Sequence, residues 1–290
     1  MSKHVLFAEE RKLLHRKLIE SQVLSVSPDG LPSVADKDNK PSVAIAQLLA
    51  RKLGAGIAKK LDGQKAGKLF EREICSFLAH TFPLLQHLRP GKWEVQDLGN
   101  HSRIKTSSFS QYEHLAHLME IIDSDRRMKA AVGNGYVIAP DIVVSRALCD
   151  DSEINNGCCF VDDSVCRKAD LRKQNGGLPI MHASVSAKWT MRSDRAQNSR
   201  TEALNLIRNR KGRLPHVVVV TGEVLPSRLA SLALGTGDVD CVYHFALYEL
   251  LESVREFGRD DRQDIIELLE TLIEGKRLKA ISDLPLDLSC

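Results

Sequence analysis

The chain has 290 residues, of which 43% are apolar and 27% charged, with 41 basic against 38 acidic side chains for a net charge of +3. That composition supplies ample material for a buried core and excludes a disordered, collagenous or coiled-coil chain. The longest unbroken apolar stretch surrounds Val217 to Val220, far short of the roughly 18 residues that cross a bilayer, so no membrane span is expected.

The first eleven residues mix His4, Glu9, Glu10 and Arg11 among apolar ones, which rules out the apolar stretch of a secretory signal and predicts a cytoplasmic protein. Apolar residues at 7, 13, 14 and 18 predict a helix over 7–19, and the same periodicity recurs over 43–53, 66–82 and 112–132. Pro83 ends the third of these, because it lacks a backbone donor and restricts the residue before it. Residues 25–41, rich in Ser, Pro, Asp, Lys and Asn, predict an exposed loop free to link elements or to reach a ligand.

The pattern then changes. Runs of strand length and β-branched character occupy 136–144, 178–189 and 216–221. Helical periodicity returns over 193–209, 239–256 and 261–272. Strands flanked by helices predict an α/β fold with a mixed central β-sheet. No internal repeat is visible, so residues 1–290 read as a single domain, with a helical N-terminal half and the sheet from about residue 136 onward.

Seven cysteines are an odd number, and none forms a C-x-x-C pair or has a histidine at zinc-finger spacing. Reduced structural thiols are expected, with zinc a poor second. The charge is more informative. Between Lys188 and Arg213 eight basic residues face only Asp194 and Glu202, a net +6 on a chain otherwise slightly acidic. A local phosphate-facing surface has this form, although a solvated helix face is the commoner cause of a charge run.

Within the predicted strand 136–144, Asp141 is costly to bury unless something positive neutralises it, and a metal ion would do so. A strand-end aspartate holding a turn is the plain alternative. On the next strand Ser186 and Lys188 are two apart and project from one face. If the two strands pair, Lys188 reaches the Asp141 carboxylate. The following helix adds Glu202, seven residues after Arg195 and on nearly the same stripe. Two carboxylates and a lysine suit phosphodiester hydrolysis. Asp141 and Glu202 would hold Mg²⁺, with the carbonyl of Ala187 as a further ligand, and Lys188 would orient water and offset charge in the transition state. Glu71 could approach from the opposite side.

Arg192, Asp194 and Arg195 open the next helix. Arginine pairs bidentately with guanine and aspartate accepts from cytosine, so this set suits reading G and C. A capping role for Ser193, with Asp194 favoured by the dipole, leaves the two arginines unexplained.

The run from His182 to Glu202, with Pro140-Asp141 upstream, resembles the CCGG group of type II restriction endonucleases. Further matching stretches are Leu204 to His216, Leu234 to Tyr248 and Gly275 to Leu288. The resemblance spans most of the chain and is strongest from residue 180 onward. It implies the PD-(D/E)XK nuclease core and Mg²⁺-dependent cleavage of double-stranded DNA. The acid that usually stands two before the lysine is replaced here by Ser186, with Glu202 supplying the carboxylate from the helix, a swap the CCGG group also makes.

Position by position, the resemblance implies Asp141, Lys188, Glu202, Glu71 and Ser186 as the catalytic set. It implies Arg192, Asp194 and Arg195 as readers of the CCGG core, Arg228 and Asp36 as readers of the outer base pair, and Gln64 as a minor-groove contact. The implied site is GCCGGC, cut after the first G to leave a four-base 5′ overhang. A palindrome asks for a two-fold symmetric protein, hence a homodimer at minimum, and the resemblance implies a homotetramer. The competing readings are a sequence-specific DNA-binding protein without cleavage, which needs no Asp141, Lys188 or Glu202, and a structure-selective nuclease of the same fold, which needs no Arg-Ser-Asp-Arg reader.

Overall fold

A computed structural model describes residues 5–99, 106–127, 130, 140–191, 193–235, 237–259 and 261–290. Three helices lead: α1 (Leu6–Glu20), α2 (Lys40–Leu53) and α3 (Gly63–Thr81). The Asn39 side chain accepts from the Ser42 N–H at 2.9 Å to start α2, and Gly54, at φ 72°, ends it in the left-handed conformation that a Cβ disfavours. Asp62 caps α3 through the Gln64 N–H at 2.9 Å. As predicted, Pro83 ends that helix; the chain tightens into a 3-10 turn over Phe82–Leu85.

The sheet has six strands in chain order: β1 (Trp93–Asp97), β2 (Ile142–Arg146), β3 (Ile180–Lys188), β4 (His216–Thr221), β5 (Cys241–His244) and β6 (Leu278–Ala280). β2 pairs antiparallel with both β1 and β3, and β3 to β6 run parallel, so the sheet is mixed. The remaining longer helices are α4 (His114–Ser124), α5 (Ser193–Asn209), α6 (Pro226–Ala233), α7 (Leu247–Gly258) and α8 (Gln263–Glu274). They complete the expected α/β architecture of a mixed sheet flanked by helices. β4 is buried from Val217 onward, the mark of a central parallel strand covered on both faces. No helix among the described residues is long and apolar enough to cross a membrane.

Four expectations need correction. The strand predicted over 136–144 begins at Ile142 and runs to Arg146; residues 136–139 lie outside the described residues. The helix predicted over 239–256 is strand β5 followed by α7. Cys241, Val242 and Tyr243 are buried, and a short apolar run of this kind fits a buried strand as well as a helix. The helix predicted over 112–132 is a 3-10 turn at Ser110–Tyr112 and then α4, which ends at Ser124; after a break at Asp125 residues 126, 127 and 130 are helical again, and 128, 129, 131 and 132 lie outside the described residues. The loop at 25–41 is not uniformly exposed: Ser25, Ser33, Val34 and Ala35 are buried. Ser33 Oγ donates to the Val23 carbonyl at 2.6 Å, and the Asp36 N–H donates to Ser42 Oγ at 3.0 Å. Its solvent-facing residues are Pro28, Asp29, Lys37, Asp38 and Lys40.

Two buried histidines make stability depend on pH. Burial lowers His182 and His244 to about 4. His182 Nε2 lies 2.7 Å from the Leu288 carbonyl, and His244 Nδ1 accepts from the Ala246 N–H at 3.1 Å. The unfolded chain, with histidine near 6.5, takes up protons that the folded chain refuses, so stability is full above about 6.5 and falls as pH drops toward 4. The expected loss is on the order of a few kcal/mol for each histidine. Urea unfolding at pH 7, 5.5 and 4.5 checks this; a midpoint that stays constant contradicts it.

Candidate active site

The register of β2 on β3 places Ile142 opposite Val185, so Asp141, one residue earlier, comes level with Ser186. Asp141 is 8% exposed and its Oδ2 collects three hydrogen bonds: from Lys188 Nζ at 2.7 Å, from the Ala187 N–H at 2.8 Å and from Ser186 Oγ at 3.4 Å. The expected pairing of the strand aspartate with the strand lysine is thus present, with Asp141 at the mouth of its strand rather than within it. Lys188 is fixed from behind as well, its carbonyl accepting from Thr221 Oγ1 at 2.8 Å.

Glu71 and Glu202 join this pair from opposite helices. Both line one cleft of about 240 Å³ with Gln64, Ala187, Lys188 and Asn198. On α3, Ala66, Phe70 and Ile74 are buried, which leaves Gln64, Lys68 and Glu71, at i, i+4 and i+7, on the adjoining stripe facing the cleft. On α5, Asn198 and Glu202 are one turn apart.

The charges are strongly coupled. Burial, reinforced by the Asp141 carboxylate, pushes Glu71 up to about 7. Burial also pushes Glu202 to about 7, with Lys188 opposing and Asp141 adding to the shift. Burial alone would lower the Lys188 ammonium, yet the carboxylates of Asp141, Glu202 and Glu71 hold it above its ordinary value. Burial is the main cause at both glutamates: an ionised carboxylate in this cleft is short of solvation, and holding a proton near neutrality relieves the deficit.

A hard divalent cation would relieve it instead. Among the described residues no three His, Cys, Asp or Glu side chains gather closely enough to cage an ion. Mg²⁺ needs no such cage, because it keeps several waters and takes one or two carboxylates together with substrate phosphate oxygens. An all-oxygen donor set that is partly protonated without a cation fits such an ion.

A second cavity, of about 290 Å³, adjoins the first and shares Gly63 and Trp189 with it. Asp36, Lys60, Thr190 and Arg228 line it. Asp36 and Arg228, 192 positions apart in sequence, form an ion pair here. Of the three expected readers of the CCGG core, Arg192 lies outside the described residues. Asp194 and Arg195 fall in the first turn of α5, but their side chains lie outside the described set as well.

Two residues that sequence reasoning passed over hold this region together. Glu223 is 1% exposed and accepts from the backbone of Met191 at 3.0 Å and of Leu225 at 3.0 Å, with Arg228 at 3.6 Å. One carboxylate therefore ties the segment leading into α5 to the guanidinium of the second cavity. A lone acid in the run Gly-Glu-Val carries no sequence signal of this. Gly222 is the second. A Cβ there would lie 2.7 Å from the Trp189 ring and 2.8 Å from its backbone oxygen. Trp189 packs on Phe70 and Phe245 with ring centroids 5.1 and 5.2 Å away, so it has little room to retreat. Gly222→Ala is expected to cost about 1–3 kcal/mol, read as a lower urea midpoint; an unchanged midpoint contradicts the close approach.

The family model described as NgoMIV restriction enzyme matches residues 14–290. The type II restriction enzyme NgoMIV of Neisseria gonorrhoeae is 46% identical over 285 residues, covering 98% of this chain and 99% of its own length.

Proposed function

Because this chain belongs to the NgoMIV restriction enzyme family and is a type II restriction endonuclease, we propose that it cuts both strands of DNA at GCCGGC in a Mg²⁺-dependent reaction, after the first G. The observation that carries this reading is the 2.7 Å contact of Lys188 Nζ with Asp141 Oδ2 in a cleft shared by Glu71 and Glu202.

Asp141 and Glu202, with the Ala187 carbonyl, are the residues that would hold Mg²⁺, and Glu71 is placed to support a second ion. The chemistry a bound Mg²⁺ supplies is Lewis-acid polarisation of the phosphodiester and activation of the water nucleophile. Lys188 orients the attacking water and offsets the charge that grows on the phosphoryl oxygens as the bond to the 3′-oxygen breaks. Ser186 fills the place of a further acid and keeps Asp141 hydrogen-bonded. Water adds to phosphorus and the 3′-oxygen leaves, giving a 5′-phosphate, a 3′-hydroxyl and a CCGG overhang.

Arg192, Asp194 and Arg195 read the CCGG core, Arg228 and Asp36 the outer G·C pair, and Gln64 the minor groove. An arginine and an aspartate already side by side match a guanine and a cytosine of one base pair. Two-fold symmetry of the site calls for a homodimer, and the family resemblance supports a homotetramer working in the cytoplasm.

With Ca²⁺ in place of Mg²⁺, gel-shift titrations across GCCGGC, ACCGGT and CCCGGG duplexes should favour the first. Chelation with EDTA should abolish cleavage. Equal retention of the three duplexes would remove the outer-reader assignment, and cleavage in EDTA would remove the metal.

A further inference from the structure

The basic window between Lys188 and Arg213 does not form one surface. Lys188 belongs to the catalytic cleft, whereas Arg213 lines a separate cavity of about 170 Å³ with Arg89, Trp93, Arg146 and His182. His182 and Lys188 stand at opposite ends of β3, six residues or about 20 Å apart. The catalytic site therefore leaves Arg213 unused.

Three guanidinium groups meet at the cavity with little to neutralise them. Arg146 ends β2 opposite Trp93 in β1. The guanidinium carbons of Arg146 and Arg89 lie 5.7 and 5.9 Å from the Trp93 ring centroid. Gly91 makes room for this: a Cβ there would come within 2.9 Å of Arg146 Nε and 3.0 Å of the Trp93 ring. Arg89 donates to the backbone oxygen of Cys290. Among the described residues neither Arg146 nor Arg213 has a carboxylate within ion-pair distance, and Asp170, the one acid lining the cavity, is exposed and forms no ion pair.

The polar atoms are unsatisfied as well. Arg89 Nε and Arg146 Nε are both buried without a hydrogen-bond partner. Leaving buried donors unpaired costs about 1–3 kcal/mol each, more when charged, so a cluster of them around an open cavity suggests a missing acceptor. Arg89 is lowered by burial first and then by Arg213 and Arg146 beside it, against a smaller opposing pull from Cys290. An acceptor with several oxygens and a negative charge satisfies the donors and the charge together, and arginine matches a tetrahedral oxyanion bidentately.

We propose that this cavity binds a tetrahedral oxyanion, namely a phosphate group, held by Arg89, Arg146 and Arg213 over the Trp93 ring. The phosphate comes either from free inorganic phosphate or from the backbone of a DNA duplex passing this edge of the sheet.

Sodium phosphate titrated into the full chain, against sodium chloride at equal ionic strength, should raise Tm saturably if free phosphate binds. Arg213→Gln lies in an exposed loop and leaves the fold intact; it and Arg146→Gln should each weaken the effect at least tenfold. If the phosphate belongs to DNA, inorganic phosphate matches chloride. Both variants then lose affinity for a short duplex lacking the recognition site, with a shallower dependence on salt. If phosphate matches chloride and Arg213→Gln retains the duplex as wild type does, the proposal is overturned.

Discussion

Lys188→Ala is expected to lower DNA cleavage by at least about 10²–10³-fold, the loss typical of removing one group that stabilises transition-state charge, while leaving site-specific binding in Ca²⁺ intact. The residue contacts Asp141 at 2.7 Å and faces Glu71 and Glu202 in the same cleft. Its absence removes the ammonium whose pKa Asp141, Glu202 and Glu71 together hold up. The metal-free variant should also be less stable at neutral pH by on the order of a few kcal/mol, because Asp141 loses the partner of a largely buried charge. Ca²⁺ should recover much of that loss. Thermal unfolding with and without Ca²⁺, beside plasmid cleavage and gel shifts, reads all three effects. A variant that cuts at the wild-type rate would remove Lys188 from the chemistry.

Arg228→Ala is expected to erase the preference for GCCGGC over ACCGGT while keeping the preference for a CCGG core. A lost bidentate arginine contact is worth about 1–3 kcal/mol, or roughly 5- to 150-fold in relative affinity. Asp36 then loses its ion-pair partner, and buried Glu223 loses the guanidinium 3.6 Å away. Glu223 is already raised by burial against the pull of its backbone donors and Arg228, so removing Arg228 raises it further. The attraction acts only while the carboxylate is ionised, so the variant's deficit against wild type should be largest at neutral pH and shrink as falling pH protonates Glu223. Competitive gel shifts with the two duplexes check the specificity, and undiminished discrimination contradicts it.

Strands β3 and β4 were legible because they are long and strongly patterned, whereas the Ser186 and Lys188 pair is weak evidence alone, since a strand-end lysine is usually solvent-exposed, and gained weight only beside Asp141. β1 was invisible for the opposite reason: five residues, three of them partly exposed and two fully so, at the edge of the sheet. β6 has only three. β5 read as helix because its four buried residues run almost directly into α7, and periodicity cannot divide so short an apolar run.

Within the site, the encounter of Asp141 with Lys188 followed from assuming that two predicted strands pair. The ion pair of Asp36 with Arg228 could not follow from pattern, since loop and helix meet across 192 positions. Nor could the arginine cavity, where Arg89, Arg146 and Arg213 come from a turn, a strand end and a loop. A charge window read as one surface is divided by the fold between two ends of the sheet.

The central claim is that Asp141, Lys188 and Glu202 act as one centre that hydrolyses a phosphodiester at a fixed place in a fixed sequence. Sequencing the ends that the purified protein releases from plasmid DNA in Mg²⁺ tests site, stagger and chemistry at once. The account predicts discrete fragments whose ends all begin with a 5′-phosphorylated CCGG overhang preceded by G and followed by C. Ends scattered over unrelated sequences, or a plasmid left uncut, would contradict it.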